Sequence, residues 1–243
     1  MKTVTQNQKY NTSVTADLEG KIGIEFKDKA ILVKALVHRS YLNENPGFSA
    51  EHNERLEFLG DAVLELIVTE YLYIHYPTHP EGELTSLRAS LVNSTMLASL
   101  AGKLQLDKYL YLSKGESKDQ GKARQYILAN AFEALIGAIF LDMGMTASKK
   151  FIGEQVLVQL PYVMENQLYI DAKSHFQELT QEKLGITPNY RVLEESGPDH
   201  AKTFKIGAFI QDELIAEGVG QSKQEGEFNA AKAALVCWQW KTN

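Results

Sequence analysis

The chain has 243 residues, 44 % of them hydrophobic and 23 % charged. At about 150 residues per domain this makes one to two domains, and the balance excludes collagen-like, coiled-coil-only and wholly disordered chains. With 25 basic and 31 acidic residues the formal charge is −6, which taken alone argues mildly against a nucleic-acid partner. The longest clean apolar stretch, residues 134–141, falls far short of the roughly 18 residues of a membrane span, so no membrane association is expected. The single cysteine, Cys237, forbids an intrachain disulfide and a cysteine-based zinc site, and fits a cytoplasmic protein.

Residues 1–16 are polar, without the apolar run of a secretory signal, and read as a disordered tail. From residue 17 to about 162 the apolar residues recur at helical spacing, as in Ile31, Leu32, Ala35 and Leu36. His38-Arg39-Ser40 reads as the end of a helix, with a satisfied terminal histidine, and Asp17 as a turn or cap residue. A long helix is predicted over 53–75, stopping before Pro77, and another over 85–102 with Gly102 as its C-cap. Residues 113–125 are polar and basic (Lys114, Lys118, Lys122, Arg124) and read as a loop. Helices follow over 126–143, ended by Gly144, and over 146–162. No strand is expected before residue 185.

The pattern then changes. Residues 163–170 read as a linker and 171–241 as a second module. A helix over 172–184 ends at Gly185, and alternating stretches at 188–195, 203–210 and 213–219 read as strands. The turn cluster 196–199 and the hairpin pair Gln211-Asp212 separate them. Ser222 introduces a last helix over 223–240. The expected fold is therefore multidomain: an all-α domain over 17–162, then a small α+β module of order α-β-β-β-α.

Two of the helices carry acids among apolar residues. Glu57 and Asp61 lie about 40° apart on one helix face, with Glu54 a turn earlier. The helix after residue 126 has Asn130 and Glu133 as its only clearly polar interior groups. Acids in such surroundings are costly to bury unless compensated, and Mg²⁺, which takes carboxylate and water oxygens, is the natural compensator. The two stripes suggest a metal site shared between the helices. Spacing alone also fits solvated helix faces, which is the reading preferred for Glu65.

The stretch Asn53-Glu54-Arg55-Leu56-Glu57-Phe58-Leu59-Gly60-Asp61-Ala62-Val63-Leu64 closely resembles the signature of ribonuclease III. His38-Arg39-Ser40, Pro80-Glu81-Gly82-Glu83-Leu84 with Leu87-Arg88-Ala89, and the run 127–138 resemble further segments of that family, in the right order. The C-terminal module resembles a double-stranded-RNA-binding domain. The resemblance implies an endoribonuclease that hydrolyses phosphodiesters in double-stranded RNA with Mg²⁺, Mn²⁺ being able to substitute. It implies a homodimer leaving 5′-phosphate and 3′-hydroxyl ends with a short 3′ overhang, and a role in rRNA and mRNA processing. Carried over, Asp61 and Glu133 are catalytic, Glu57, Asp61, Asn130 and Glu133 are metal-site residues, and Glu54 and Glu81 support the cleft and position substrate. Lys173, Ser174, Gln177, Glu178, Gln181, His200, Ser222 and Lys223 contact RNA. The chain departs from the pattern at Asn130, where the family usually has an aspartate, and at Gln224 and Gly226, where Lys and Ala are usual. The alternative implied by Asn130 is a dimeric double-stranded-RNA-binding protein with weakened catalysis.

Overall fold

A computed structural model describes residues 12–169, 171–198 and 202–238. The chain divides into two compact units, Met1–Tyr169 and Ile170–Asn243.

The first unit is helical: α1 Thr12–Ile22, α2 Lys29–Leu36, α3 Arg39–Glu44, α4 Glu54–His75, α5 Glu81–Val92, α6 Ser94–Lys103, α7 Lys122–Gln155 and α8 Leu160–Glu165. Among its described residues there is no strand, only an isolated bridge between Val37 and Tyr111. Residues 12–16, expected in the tail, form the first turns of α1, and Leu18 and Ile22 of that helix are sealed in the core. Residues 1–11 lie outside the described set. Asp17 is not a cap: it sits inside α1 and accepts a hydrogen bond from the Tyr109 hydroxyl.

Local side-chain chemistry sets the other boundaries. Asp28 caps α2 by accepting from the Ala30 N–H. His38 opens α3 rather than closing a helix, with its ring nitrogen accepting from the Ser40 N–H. The single helix expected over 85–102 is two, because Asn93 adopts an extended ψ of 157° and its side chain accepts from the Met96 N–H. An asparagine that can cap a new helix competes with continuing the old one. The first of the two also starts earlier than predicted, directly after Pro80. Residues 163–165, expected in the linker, complete α8, with Val163 fully buried.

Two helices organise this unit. On α4, Leu56, Gly60, Val63, Leu64, Ile67, Val68 and Leu72 are buried at helical spacing. On α7, the buried set includes Ala131, Phe132, Ala134, Leu135, Ile136, Gly137, Ala138 and Ile139. The stretch Lys122–Glu165 contains 18 residues with the mean hydropathy of a membrane span, 1.6, but 56 % of them are buried inside the fold. That is the environment of a core helix. The break expected at Gly144 is present as a kink with φ 77° and ψ −173°, a backbone conformation essentially restricted to glycine.

The second unit has the order α-β-β-β-α: α9 Ala172–Leu184, β1 Asn189–Ser196, β2 Thr203–Ile210, β3 Glu213–Gly220 and α10 Lys223–Trp238. The sheet is antiparallel in the order β1-β2-β3. Asp171 caps α9 by accepting from the Lys173 N–H, and Gly185 ends it at φ 70°. Ala172, Phe176, Ile206, Ala208, Ile210, Ala230, Ala231 and Ala234 form the core of this unit. Alanines on α10 let that helix lie close to the sheet. At Gly226 a Cβ would stand 2.5 Å from Ile206 Cγ1, so this chain's glycine goes with closer packing at that point.

Candidate active site

The helices α4 and α7 meet at two glycines. A Cβ added at Gly60 would stand 1.8 Å from the Glu133 carbonyl oxygen and 2.8 Å from the Gly137 nitrogen, and one at Gly137 would stand 2.2 Å from the Leu56 carbonyl oxygen. Only residues without a side chain permit this backbone approach. Glycine inside a helix costs about 1 kcal/mol relative to alanine, a cost here accompanied by direct contact between the helices. The crossing places the stripe of Glu57 and Asp61 against that of Asn130 and Glu133.

Asn130 donates a side-chain hydrogen bond to the Glu57 carboxylate. Glu57 and Glu133 are half-buried and Asp61 is exposed. Burial, reinforced by the negative charges of Asp61 and Glu57, pushes the Glu133 carboxyl up to about 7. Burial and the charge of Glu54 raise Glu57, the hydrogen bond from Asn130 works the other way, and Asp61 raises it further. Every charge acting on Glu133 is negative. Oxygen donors that are desolvated and mutually repelling suit a hard divalent cation, which relieves both costs at once. Among the described residues no three His, Cys, Asp or Glu side chains are already gathered into a metal cage. Carboxylates that repel one another stand apart and close around a cation.

This arrangement fixes a sign for pH dependence without metal. Glu133 holds its proton more tightly in the folded chain, where its pKa is about 7, than at the ordinary value of 4.5. Protonation therefore favours the fold. The stabilisation is complete below about pH 4.5 and is lost as pH rises towards 7. Allowing for solvent screening, about 1–2 kcal/mol is expected to disappear over that window. Thermal unfolding in a chelator at pH 5 and pH 8 measures it, and Glu133→Gln is expected to flatten the difference.

The other residues singled out from the sequence stand as follows. Glu54 pairs with Arg39 at 2.9 Å and lies 3.7 Å from His52. Glu81 accepts from the Thr85 hydroxyl one turn along α5, and it is not among the groups that shift Glu57 or Glu133. Glu65 is exposed. The basic loop is shorter than expected, because α7 begins at Lys122. Its Lys114, Lys118 and Lys122 are all exposed.

In the second unit Ser174, Gln177, Glu178 and Gln181 are exposed along α9, and the last three line a shallow groove with Glu182. Ser174 also donates to Asp171. Lys173 instead points across to α10, with its ammonium 2.5 Å from Glu227 and 5.1 Å from the Tyr190 ring centre. Ser222 accepts from the Glu225 N–H while Glu225 accepts from the Gln221 N–H, a reciprocal cap at the start of α10. Lys223 lies 3.2 Å from Glu195. His200 is outside the described residues.

Comparison with known proteins bears on what such a site belongs to. Residues 28–160 match the Ribonuclease-III-like family and residues 172–235 the double-stranded RNA binding motif. A Ribonuclease 3 of Carboxydothermus hydrogenoformans is 47 % identical over 218 residues, which are 90 % of this chain and 93 % of that one. A Ribonuclease 3 of Pelotomaculum thermopropionicum is 44 % identical over 219 residues, 90 % of this chain and 91 % of that one. The chain belongs to the ribonuclease III family. The nuclease domain of ribonuclease III from Campylobacter jejuni, solved in a study of a flexible region involved in its dimer formation, superposes with a TM-score of 0.54 at 41 % identity. That match covers 60 % of this chain and 97 % of the other.

As a ribonuclease III the chain is a hydrolase of double-stranded RNA from a family that works with divalent metal ions. The expectation drawn from net charge is thereby overturned. The C-terminal module carries eight basic and eleven acidic residues, yet it matches the RNA-binding motif. Screening confines an exposed charge to about 8–10 Å, so local placement outweighs the total. Sequence reasoning also passed over Gly60 and Gly137 as site residues. The available signal was a glycine inside each acidic helix, and such glycines usually have a packing reason.

Proposed function

We propose that the chain is a Mg²⁺-dependent homodimeric endonuclease, with Mn²⁺ able to substitute, that cuts double-stranded RNA in the cytoplasm during rRNA and mRNA processing. It would leave 5′-phosphate and 3′-hydroxyl ends with a short 3′ overhang. The observation that carries the reading is the set of uncompensated carboxylates at the Gly60–Gly137 crossing, in a chain that also has a double-stranded RNA binding motif. Glu57, Asp61 and Glu133 would hold the cation. When bound, Mg²⁺ supplies a water of lowered pKa and positive charge for the phosphoryl oxygens. The chain's own groups do the rest. Glu54, fixed by Arg39, and Glu81 border the site. Ser174, Gln177, Glu178 and Gln181 present polar groups to 2′-hydroxyls across the minor groove. The capped start of α10 with Ser222 and Lys223 faces phosphate. Lys114, Lys118 and Lys122 add a cationic edge to the catalytic unit.

The homodimer rests on one helix face. Phe58 is 81 % exposed, Leu66 56 % and Tyr73 74 %, and with the exposed Ala62 they fall within about 80° of arc on α4. A large aromatic so exposed beside a catalytic cluster suits a self-complementary two-fold interface. Light scattering is expected to give twice 27.2 kDa for the parent and a monomer for Phe58→Glu. A monomeric parent at micromolar concentration would remove this part of the reading.

The activity itself is tested by incubating long duplex RNA with the protein across a wide Mg²⁺ range. Short duplex products bearing 5′-phosphates are expected. RNA left intact at high protein concentration would leave only the binding protein that Asn130 suggests.

A further inference from the structure

Asn130 stands at the centre of the carboxylate cluster, yet its amide group is turned to a neighbour. It donates a hydrogen bond to Glu57 across the α4–α7 crossing. Both side chains are half-buried. The contact lies beside the point where the Gly60 and Gly137 backbones touch, so neither helix can drift to loosen it. Glu57 otherwise faces negative neighbours, Glu54 and Asp61. The only listed influence that favours its charged form comes from Asn130.

We propose that Asn130 is a positioning residue: it acts through Glu57, orienting that carboxylate for a divalent cation, and is not itself a ligand. The amide supplies a donor where a carboxylate could only repel. The cluster therefore carries one negative charge fewer before metal arrives, and one of its oxygen donors is held in place. This rests on the reading above that Glu57 helps to hold the cation. It differs from the sequence-based expectation that the Asn130 oxygen takes the place of a metal-binding acid. Hydrogen-bond partners of metal ligands are commonly worth about 10–100-fold in metal affinity.

A double-mutant cycle distinguishes the two roles. Mg²⁺ binding to the full chain is measured by calorimetry for the parent, Asn130→Ala, Glu57→Gln and the double variant. Asn130→Ala is expected to weaken Mg²⁺ by about 10–100-fold in the parent and to change little once Glu57 is Gln. The same factor in both backgrounds would overturn the proposal, because a direct ligand acts whatever residue stands at 57. A parent that takes no Mg²⁺ would instead overturn the underlying metal reading. A second cycle needs no metal. Asn130→Asp is expected to lower the melting temperature in a chelator while Glu57 is present. It is expected to lower it much less in Glu57→Gln, whose amide can donate to the new carboxylate. Equal losses in the two backgrounds would contradict the Asn130–Glu57 contact and the proposal with it.

Discussion

Gly60→Ala is expected to cost stability and cleavage together. The new methyl group would meet the Glu133 carbonyl oxygen at 1.8 Å and the Gly137 nitrogen at 2.8 Å, and backbone atoms inside two long helices cannot step aside as a side-chain tip can. The helices must separate. Overpacking of this kind costs about 1–3 kcal/mol, and a backbone clash belongs at the upper end. For a domain of this size that lowers the melting temperature by about 6–12 °C. Separation also moves Glu57 and Asp61 away from Glu133, so cleavage is expected to fall further than the lost stability explains. Gly137→Ala, whose methyl would meet the Leu56 carbonyl oxygen at 2.2 Å, is expected to behave alike. The check is thermal unfolding beside cleavage at a temperature where the variant is still folded. A variant that keeps parental stability and rate would show that the crossing does not set the site.

Glu133→Gln is expected to separate stability from activity. The substitution keeps the size of the side chain and removes a charge that burial, Asp61 and Glu57 all oppose. Without metal at neutral pH the variant is expected to be as stable as the parent or more so. Cleavage is expected to fall on the order of 10²–10³-fold, the usual loss when one preorganised electrostatic group is removed from an active site. Binding of duplex RNA in the absence of metal is expected to persist, because the RNA-binding motif lies in the other unit. Gel-shift and cleavage assays on one preparation test this. A loss of folding in parallel with activity would assign Glu133 a structural role.

The helices were legible where one residue type dominates the local chemistry. The stop of α4 before Pro77, the end of α9 at Gly185 and the α-β-β-β-α order of the second unit all follow from Pro, Gly and two-residue alternation. Asn93 was misread because an asparagine in a helical pattern can be tolerated or can cap a new helix, and only tertiary packing decides. Residues 12–16 looked like tail because their polarity hides how α1 delivers Leu18 and Ile22 to the core. In the site, the two acidic stripes were visible as polar exceptions on apolar helices. What brings them together was not, since Gly60 and Gly137 are separated by 77 positions and periodicity carries no information on which helix faces which. The donor role of Asn130 and the inward turn of Lys173 to Glu227 depend on neighbours from other elements, which is the part of the chemistry that a single sequence leaves open.

The central claim is that α4 and α7 together hold a divalent cation through Glu57, Asp61 and Glu133. Crystals of the full chain soaked in Mn²⁺ and measured at the manganese absorption edge test it most directly. One strong anomalous peak per chain is predicted between the helices, bonded to carboxylate oxygens from both, at about the 2.0–2.2 Å typical of small hard cations. No peak at a Mn²⁺ concentration that supports cleavage, or a peak held by α4 alone with Glu133 turned away, would contradict the account.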